Sequence, residues 1–381
     1  MKQLLTLFLV LFVSNQLLAD EWFQRADITD FGRHRCAGFA IGNKAYAGIG
    51  HMNGTGVNIV YQDWWEFDPA ANSWTQKANY PVPNYGVSAF GTSTHGYIGG
   101  GTFLTNQFYE FDPITNTWTA IPNCPSAPND QTAFSVQDKG YVVDNSMFYE
   151  YDPVTQIWTV KATPPVLPSA WCSSFSNETS GFVKFGVNVL EYKPSLDQWI
   201  TRASFPGYAR GGSSMFCIDD YGYVISGYGS FLSDLTKEVW RFHIPTNTWE
   251  QMEDVDGSAR RFSVGMNVNN RGYFGFGTNG INFQDWWIYD NFTPDPSLGI
   301  DQNNSADLSI FPNPSSQFIE VSYNQQAIDL EIINSEGKTI ELKSQIQPNE
   351  KISIEHLLAG NYILLIRQNG RTVTKKNLIK S

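Results

Sequence analysis

The chain has 381 residues, of which 16% are charged and 15% aromatic, and a formal net charge of −12. That balance excludes a disordered chain, which needs low hydrophobicity, and broad binding to phosphate backbones, which needs a basic face. What remains is an aromatic-rich globular protein long enough for more than one domain.

Residues 1–19 read as a secretory signal peptide, with Lys2 as the positive start, LLTLFLVLFV (4–13) as the apolar run and Ala19 as the cleavage edge. Leu17 is larger than the residue such sites usually carry there. The apolar run is too short to cross a bilayer as a helix, and no later stretch is longer, so the mature protein is expected to be exported without a membrane helix. Cys36, Cys124, Cys172 and Cys217 show no Cys-x-x-Cys spacing, which leaves a zinc or thioredoxin-like site without support. Buried thiols are expected, with one bridge open.

The next stretch, DEWFQRAD (20–27), aligns without a gap with NSWTQKAN (72–79), the end of a repeat. The repeat carries an aromatic, an Asp and a Pro, with a Trp six residues after the Asp. It reads EFDPAANSW (66–74), EFDPITNTW (110–118) and EYDPVTQIW (150–158), with degenerate copies EYKPSLDQW (191–199) and RFHIPTNTW (241–249). Each copy follows a small-and-apolar run and then a second-strand aromatic: Tyr46, Tyr97, Tyr141, Phe182, Tyr223 or Tyr273. Runs this short, split by Asn, Asp, Gly and Pro, are strands. Four strands in a 40–50-residue unit are the pattern of a propeller blade. A sixth unit runs through YFGFG (273–277) and DWWIYD (285–290), but Pro296 stands where its Trp should be. The missing fourth strand is supplied by residues 20–27, which closes a six-bladed ring and ties the termini together.

These repeats resemble the Kelch family of the galactose oxidase-like superfamily. The resemblance rests on the Gly-Tyr of the second strand, the Asp-Trp-Trp-x-aromatic-Asp of 63–68 and 285–290, and the fourth-strand Trp. The double glycine after the second strand survives only at 99–101. The predicted fold is all-β: a six-bladed Kelch-type β-propeller over 20–290 closed by an N-terminal strand, a linker at 291–307, and a small C-terminal antiparallel β-sandwich over 308–381. That last segment resembles the C-terminal sorting domain of the type IX secretion system of Bacteroidetes, through Pro312-Asn313-Pro314, Glu336-Gly337-Lys338, Leu357, Ala359-Gly360-Asn361-Tyr362 and the basic finish at Lys375-Lys376. The resemblance implies the secretion machinery as a partner, removal of the tail, and release or attachment at the outer surface.

Thirteen residues before the second-strand aromatics stand Arg33, Asn84, Pro128, Ser169, Arg210 and Arg260. The three arginines fall in blades one, five and six, which ring closure makes neighbours. The long loops 51–62, 228–237 and 278–284 belong to the same blades. The expected ligand-binding set is Arg33, His34, Arg35, Arg210, Arg260 and Arg261, because guanidinium forks pair carboxylates bidentately. The other reading of the arginines is structural, each pairing with a neighbouring carboxylate. The Trp64-Trp65 and Trp286-Trp287 pairs are expected to pack between blades.

No catalytic residue, metal site or cofactor is implied. Only His34 and His51 share the expected face, and the copper site of galactose oxidase-like proteins cannot be assembled. The first functional reading is a surface or secreted module that binds a glycan or a protein, monomeric and without nucleic-acid partners. The alternative is a carbohydrate-active enzyme acting on acidic sugars, similar to sialic acid epimerase-like propellers. A buried carboxyl of raised pKa near the arginines would favour the enzyme; an open funnel without one would favour binding.

Overall fold

The computed structural model describes residues 21–28, 31–103, 106–168, 171–229, 234–290, 309–311, 315–322, 328–334, 339–347, 350–368 and 371–380. The expected signal segment and linker lie outside these residues. Six four-stranded antiparallel sheets surround a common axis. Their innermost strands are Ala37–Ile41, Ser88–Gly91, Ala133–Val136, Ser173–Ser176, Ser214–Ile218 and Val264–Val268. Each touches the next, and the last touches the first. The ring is closed by Glu21–Arg25, which pairs with Trp286–Asp290 in the register Trp22 to Tyr289.

Two repeat features explain how blades stack. The first is the glycine before the second-strand aromatic. A Cβ on Gly96, Gly140, Gly181, Gly222 or Gly272 would lie between 1.9 and 2.1 Å from ring carbons of Phe39, Phe90, Phe134, Phe175 or Phe216. Each phenylalanine sits on the innermost strand of the preceding blade, so the missing side chain is the socket for its ring. The seam between blades six and one departs from this pattern, with Met266 in place of the phenylalanine and Ala45 in place of the glycine, packed in one cluster.

The second feature is the fourth-strand tryptophan. The indole N–H groups of Trp74, Trp118, Trp158, Trp199 and Trp249 donate to the carbonyls of Ala26, Ala78, Pro122, Ala162 and Ala203, at 2.7 to 3.0 Å. Each acceptor lies four residues beyond the preceding blade's tryptophan. Two residues before four of these tryptophans, Asn72, Asn116, Asp197 or Asn247 accepts the N–H of the same acceptor residue. Where that residue is Pro122, which has no N–H, the position holds Gln156 instead. The repeated Asn-x-Trp is therefore an inter-blade clasp. The Asp six residues before the Trp caps the intervening turn, as when Asp112 accepts from the N–H groups of Ile114 and Thr115. Trp64 and Trp286 are fully buried, as expected for residues between blades.

The C-terminal strands form a three-stranded and a four-stranded sheet, closed on a core that includes Ile319, Val321, Leu330, Ile332, Ile352 and Leu364. Glu331 of this sandwich accepts from Arg271 at the start of a blade-six strand, Nη1 to Oε1 3.1 Å, and from the Thr339 hydroxyl at 2.6 Å. The contact lies at the end of the ring where the two inner strands of each blade turn back. All four cysteines are free, and Cys124, Cys172 and Cys217 are buried. Among the described residues, no helix is long and apolar enough to cross a membrane.

Candidate functional site

The chain reaches each innermost strand from the opposite end of the ring. One residue on each approach, eleven before the second-strand aromatic, has a left-handed backbone: Arg35 (φ 52°), Gly86 (67°), Asp130 (52°), Trp171 (65°), Gly212 (60°) and Phe262 (57°). The N–H of each donates to the carbonyl of its counterpart in the preceding blade. Arg35 donates to Phe262 at 3.0 Å, Gly86 to Arg35 at 3.2, Asp130 to Gly86 at 2.8, Trp171 to Asp130 at 2.7, Gly212 to Trp171 at 2.9 and Phe262 to Gly212 at 2.8. The six bonds form a closed circle around the axis. Below it opens a cavity of about 190 Å³, lined by hydroxyls and thiols including Cys36, Thr132, Cys172, Ser174, Ser214 and Ser263. Burial pushes the Cys36 and Cys172 thiols up to about 12, so they stay neutral.

Glycine occupies the ring in blades two and five. The other four blades hold side chains in a conformation that costs an L-residue roughly 1–2 kcal/mol. For a bulky residue such as Trp171 or Phe262 this is a true outlier. Strain of this kind is retained where the side chain is needed. Trp171 is 39% exposed at the rim, and its ring meets Tyr228 and Phe262 at 5.7 and 5.9 Å.

The six residues expected to bind ligand divide into two groups. Arg33, Arg210 and Arg260 are buried and paired. Arg33 grips Asp63 through two bonds of 2.6 and 2.9 Å, Arg260 grips Asp285 at 2.5 and 2.7 Å, and Arg210 meets Glu238 at 3.0 Å. The same carboxylates accept the indole N–H groups of Trp65, Trp287 and Trp240. These three arginines form the wall behind the mouth.

Arg35 lines the cavity, and Arg261 packs against its rim residue Phe262. Their guanidinium carbons lie 4.6 and 4.9 Å from the centre of the Phe262 ring, and Arg261 also covers Tyr228 at 4.5 Å. Arg261 has no carboxylate partner among the described residues. Arg35 has one, Asp130, which comes no closer than 3.4 Å. Burial holds the Asp130 carboxyl above its usual range, opposed by Arg35 and by a bond from Trp171. His34 lies behind Arg35, 4% exposed. Its Nδ1 is 2.8 Å from the Asn282 amide oxygen, and that amide's nitrogen donates to the Asn53 carbonyl at 2.9 Å, so Nδ1 carries the proton. Burial lowers its pKa to about 4, with His51, Arg35 and Arg261 acting in the same direction against the Asn282 bond. His51 does share the face, its ring 5.1 Å from that of His34 and stacked on Tyr85 at 4.4 Å.

Of the other aligned positions, Asn84 donates to the Gly100 carbonyl, and Ser169 lies outside the described residues. Residues 51–62, expected as a loop, instead extend the hairpin of Lys44–Gly54 and Val57–Asp68. The same alignment read two residues further on would have shown Asp130, Trp171 and Phe262.

The fold and tail define an exported six-bladed β-propeller. Residues 309–380 match the family described as the secretion system C-terminal sorting domain, so the protein is exported by type IX secretion to the cell surface or beyond, with the tail removed. No curated protein matches the chain. The solved structure of YjhT, a Kelch-type propeller, aligns with a TM-score of 0.59 at 14% identity, covering 69% of this chain and 99% of that one. At that identity the likeness is one of fold.

Proposed function

We propose that the protein is an exported binding module that takes the end of a glycan chain at the mouth of the propeller axis. The observation that carries this is the ring itself, where four blades hold non-glycine residues in left-handed conformations that a glycine would adopt without strain. Trp171 offers an exposed aromatic face, a surface that packs on the apolar side of a sugar ring. The hydroxyl-lined cavity beneath has room for a terminal unit, and Arg35 and Arg261 would orient a polar or charged group. Arg33, Arg210 and Arg260 serve the site indirectly, by holding the approach segments in place.

The test is thermal unfolding of the full chain against a panel of acidic and neutral oligosaccharides, beside Trp171→Ala. A ligand at a hundred times its Kd adds about 2.7 kcal/mol. A shift seen in the wild type and lost in the variant supports the reading. No shift with any oligosaccharide contradicts it and directs the search to protein partners.

A second reading, acid–base chemistry on an acidic sugar, is favoured by one observation. Asp130 is a carboxyl of raised pKa within reach of an arginine. Solvent-deuterium incorporation into a bound acidic sugar, lost in Asp130→Asn, would establish it.

A further inference from the structure

Four arginines around the mouth have carboxylate partners, and the pairs are unlike. At Arg33 and Arg260 the carboxylate is held by two bonds of 2.5 to 2.9 Å, and at Arg210 by one contact of 3.0 Å. Those three guanidiniums have side-chain exposures of 1%, 0% and 0%. The Arg35–Asp130 pair comes no closer than 3.4 Å, with side chains 23% and 15% exposed. Arg261 lies against the same Phe262 ring as Arg35 and has no such partner among the described residues. The mouth thus holds two guanidiniums and one loosely placed carboxylate.

We propose that Asp130 is a built-in competitor. A carboxylate-bearing sugar enters the mouth by displacing Asp130 from Arg35, so Asp130 weakens acidic ligands at neutral pH and sets the dependence of their binding on pH. This rests on the mouth being the ligand site. The ionised Asp130 repels the incoming carboxylate and occupies one of its two guanidinium partners. Protonation removes the repulsion and frees Arg35. Anionic ligand and proton therefore bind with positive linkage, and affinity rises as the pH falls towards the carboxyl's pKa. Burial has already moved that pKa above the ordinary carboxylate value.

Arg35 and Tyr228 act on Asp130 directly, Arg261, His34 and His51 lie beyond them, and the neutral thiols Cys36 and Cys172 lie in the cavity below. Burial raises the Tyr228 hydroxyl and lowers His34 to about 4, so both stay uncharged between pH 7 and 5. Removing the Asp130 carboxylate separates its contribution from that of His51. Asparagine suits the purpose, because it tolerates a left-handed backbone better than most residues.

The experiment is calorimetric titration of the full chain with trigalacturonate, and with neutral trigalactose as control, at pH 7 and pH 5, for the wild type and Asp130→Asn. The wild type is expected to bind trigalacturonate more tightly at pH 5 than at pH 7, by at most about fivefold, the limit set by removing one like charge at contact distance in water. Asp130→Asn is expected to bind it tightly at both pH values. Weaker trigalacturonate binding by Asp130→Asn, or an unaltered pH response, overturns the proposal. Binding of trigalactose alone, lost in Trp171→Ala, overturns it and leaves the glycan reading standing. No binding of either sugar to the wild type overturns it too, and the wider oligosaccharide panel then decides whether the glycan reading falls with it.

Discussion

Arg33 and Asp63 sit 30 residues apart and meet through two hydrogen bonds of 2.6 and 2.9 Å, with the arginine side chain 1% exposed. Removing one partner of such a pair leaves a buried charge uncompensated, which costs about 3–5 kcal/mol. Arg33→Ala and Arg260→Ala are each expected to destabilise the protein on that scale in denaturant unfolding. Asp63→Ala should cost at least as much, because it leaves the 1% exposed Arg33 guanidinium unpaired, whereas Arg33→Ala leaves a carboxylate that is 19% exposed. A change under about 1 kcal/mol for Arg33→Ala would contradict a structural role for the pair.

The Met266–Ala45 seam makes a coupled prediction. Met266→Phe alone crowds Ala45 and should cost about 1–3 kcal/mol. Ala45→Gly alone should cost about 0.5–1 kcal/mol, the usual penalty for glycine in a strand. Together they recreate the phenylalanine-and-glycine socket of the other five seams. The double variant should therefore be more stable than the sum of the single changes by at least 0.5 kcal/mol. Strict additivity in a double-mutant cycle would show that the two positions do not pack as the other seams do.

Trp171→Gly places glycine at a ring position where two blades already use it. Relief of the left-handed strain, roughly 1–2 kcal/mol, offsets the lost packing of a rim side chain. The melting temperature should stay within a few degrees of wild type while ligand binding is lost. A collapse in stability would make Trp171 a structural residue.

Lys184 stands in blade four where blades one, two and six have glycine. It is 2% exposed, donates to the Arg210 carbonyl at 2.9 Å and lies 4.6 Å from the Phe205 ring centre. Burial, and then Arg210, lower its pKa from 10.5 to about 7. Between pH 7 and 10.5 the unfolded chain holds this proton and the folded chain does not, so stability gains a component that rises with pH. Lys184→Met should remove it. The unfolding free energy of the variant at pH 7 and pH 9 should differ less than that of the wild type, and equal differences would contradict the assignment.

The blade count and the closing strand could be read from the sequence because both rest on local repetition. Trp22 stands as the end of a repeat whose earlier strands lie at 264–290, at the far end of the ring's sequence, and its pairing with Tyr289 follows. The division of the arginines was harder to read, because Arg33 and Arg35 are two residues apart and a left-handed backbone at Arg35 separates their directions. A signal was present all the same. Five residues before the repeat's Asp position stands Asp63, Glu238 or Asp285 in the blades that carry Arg33, Arg210 or Arg260, and Gln107, Met147 or Asn188 in the others. Arginine and acid occur together or not at all. The ring of backbone hydrogen bonds has no such sequence mark. Its members range from glycine to tryptophan because the feature they share is a backbone angle.

Arg260 and Arg261 are adjacent in sequence and assigned opposite roles, which makes them the most direct test of the mouth as a binding site. Thermal unfolding would compare Arg260→Gln and Arg261→Gln, each with and without the oligosaccharide that shifts the wild type most. Arg260→Gln should melt lower yet keep most of the ligand-induced shift, because its partner is Asp285 behind the wall. Arg261→Gln should melt close to wild type and lose the shift. Loss of the shift in Arg260→Gln with retention in Arg261→Gln would contradict the account and place the ligand elsewhere.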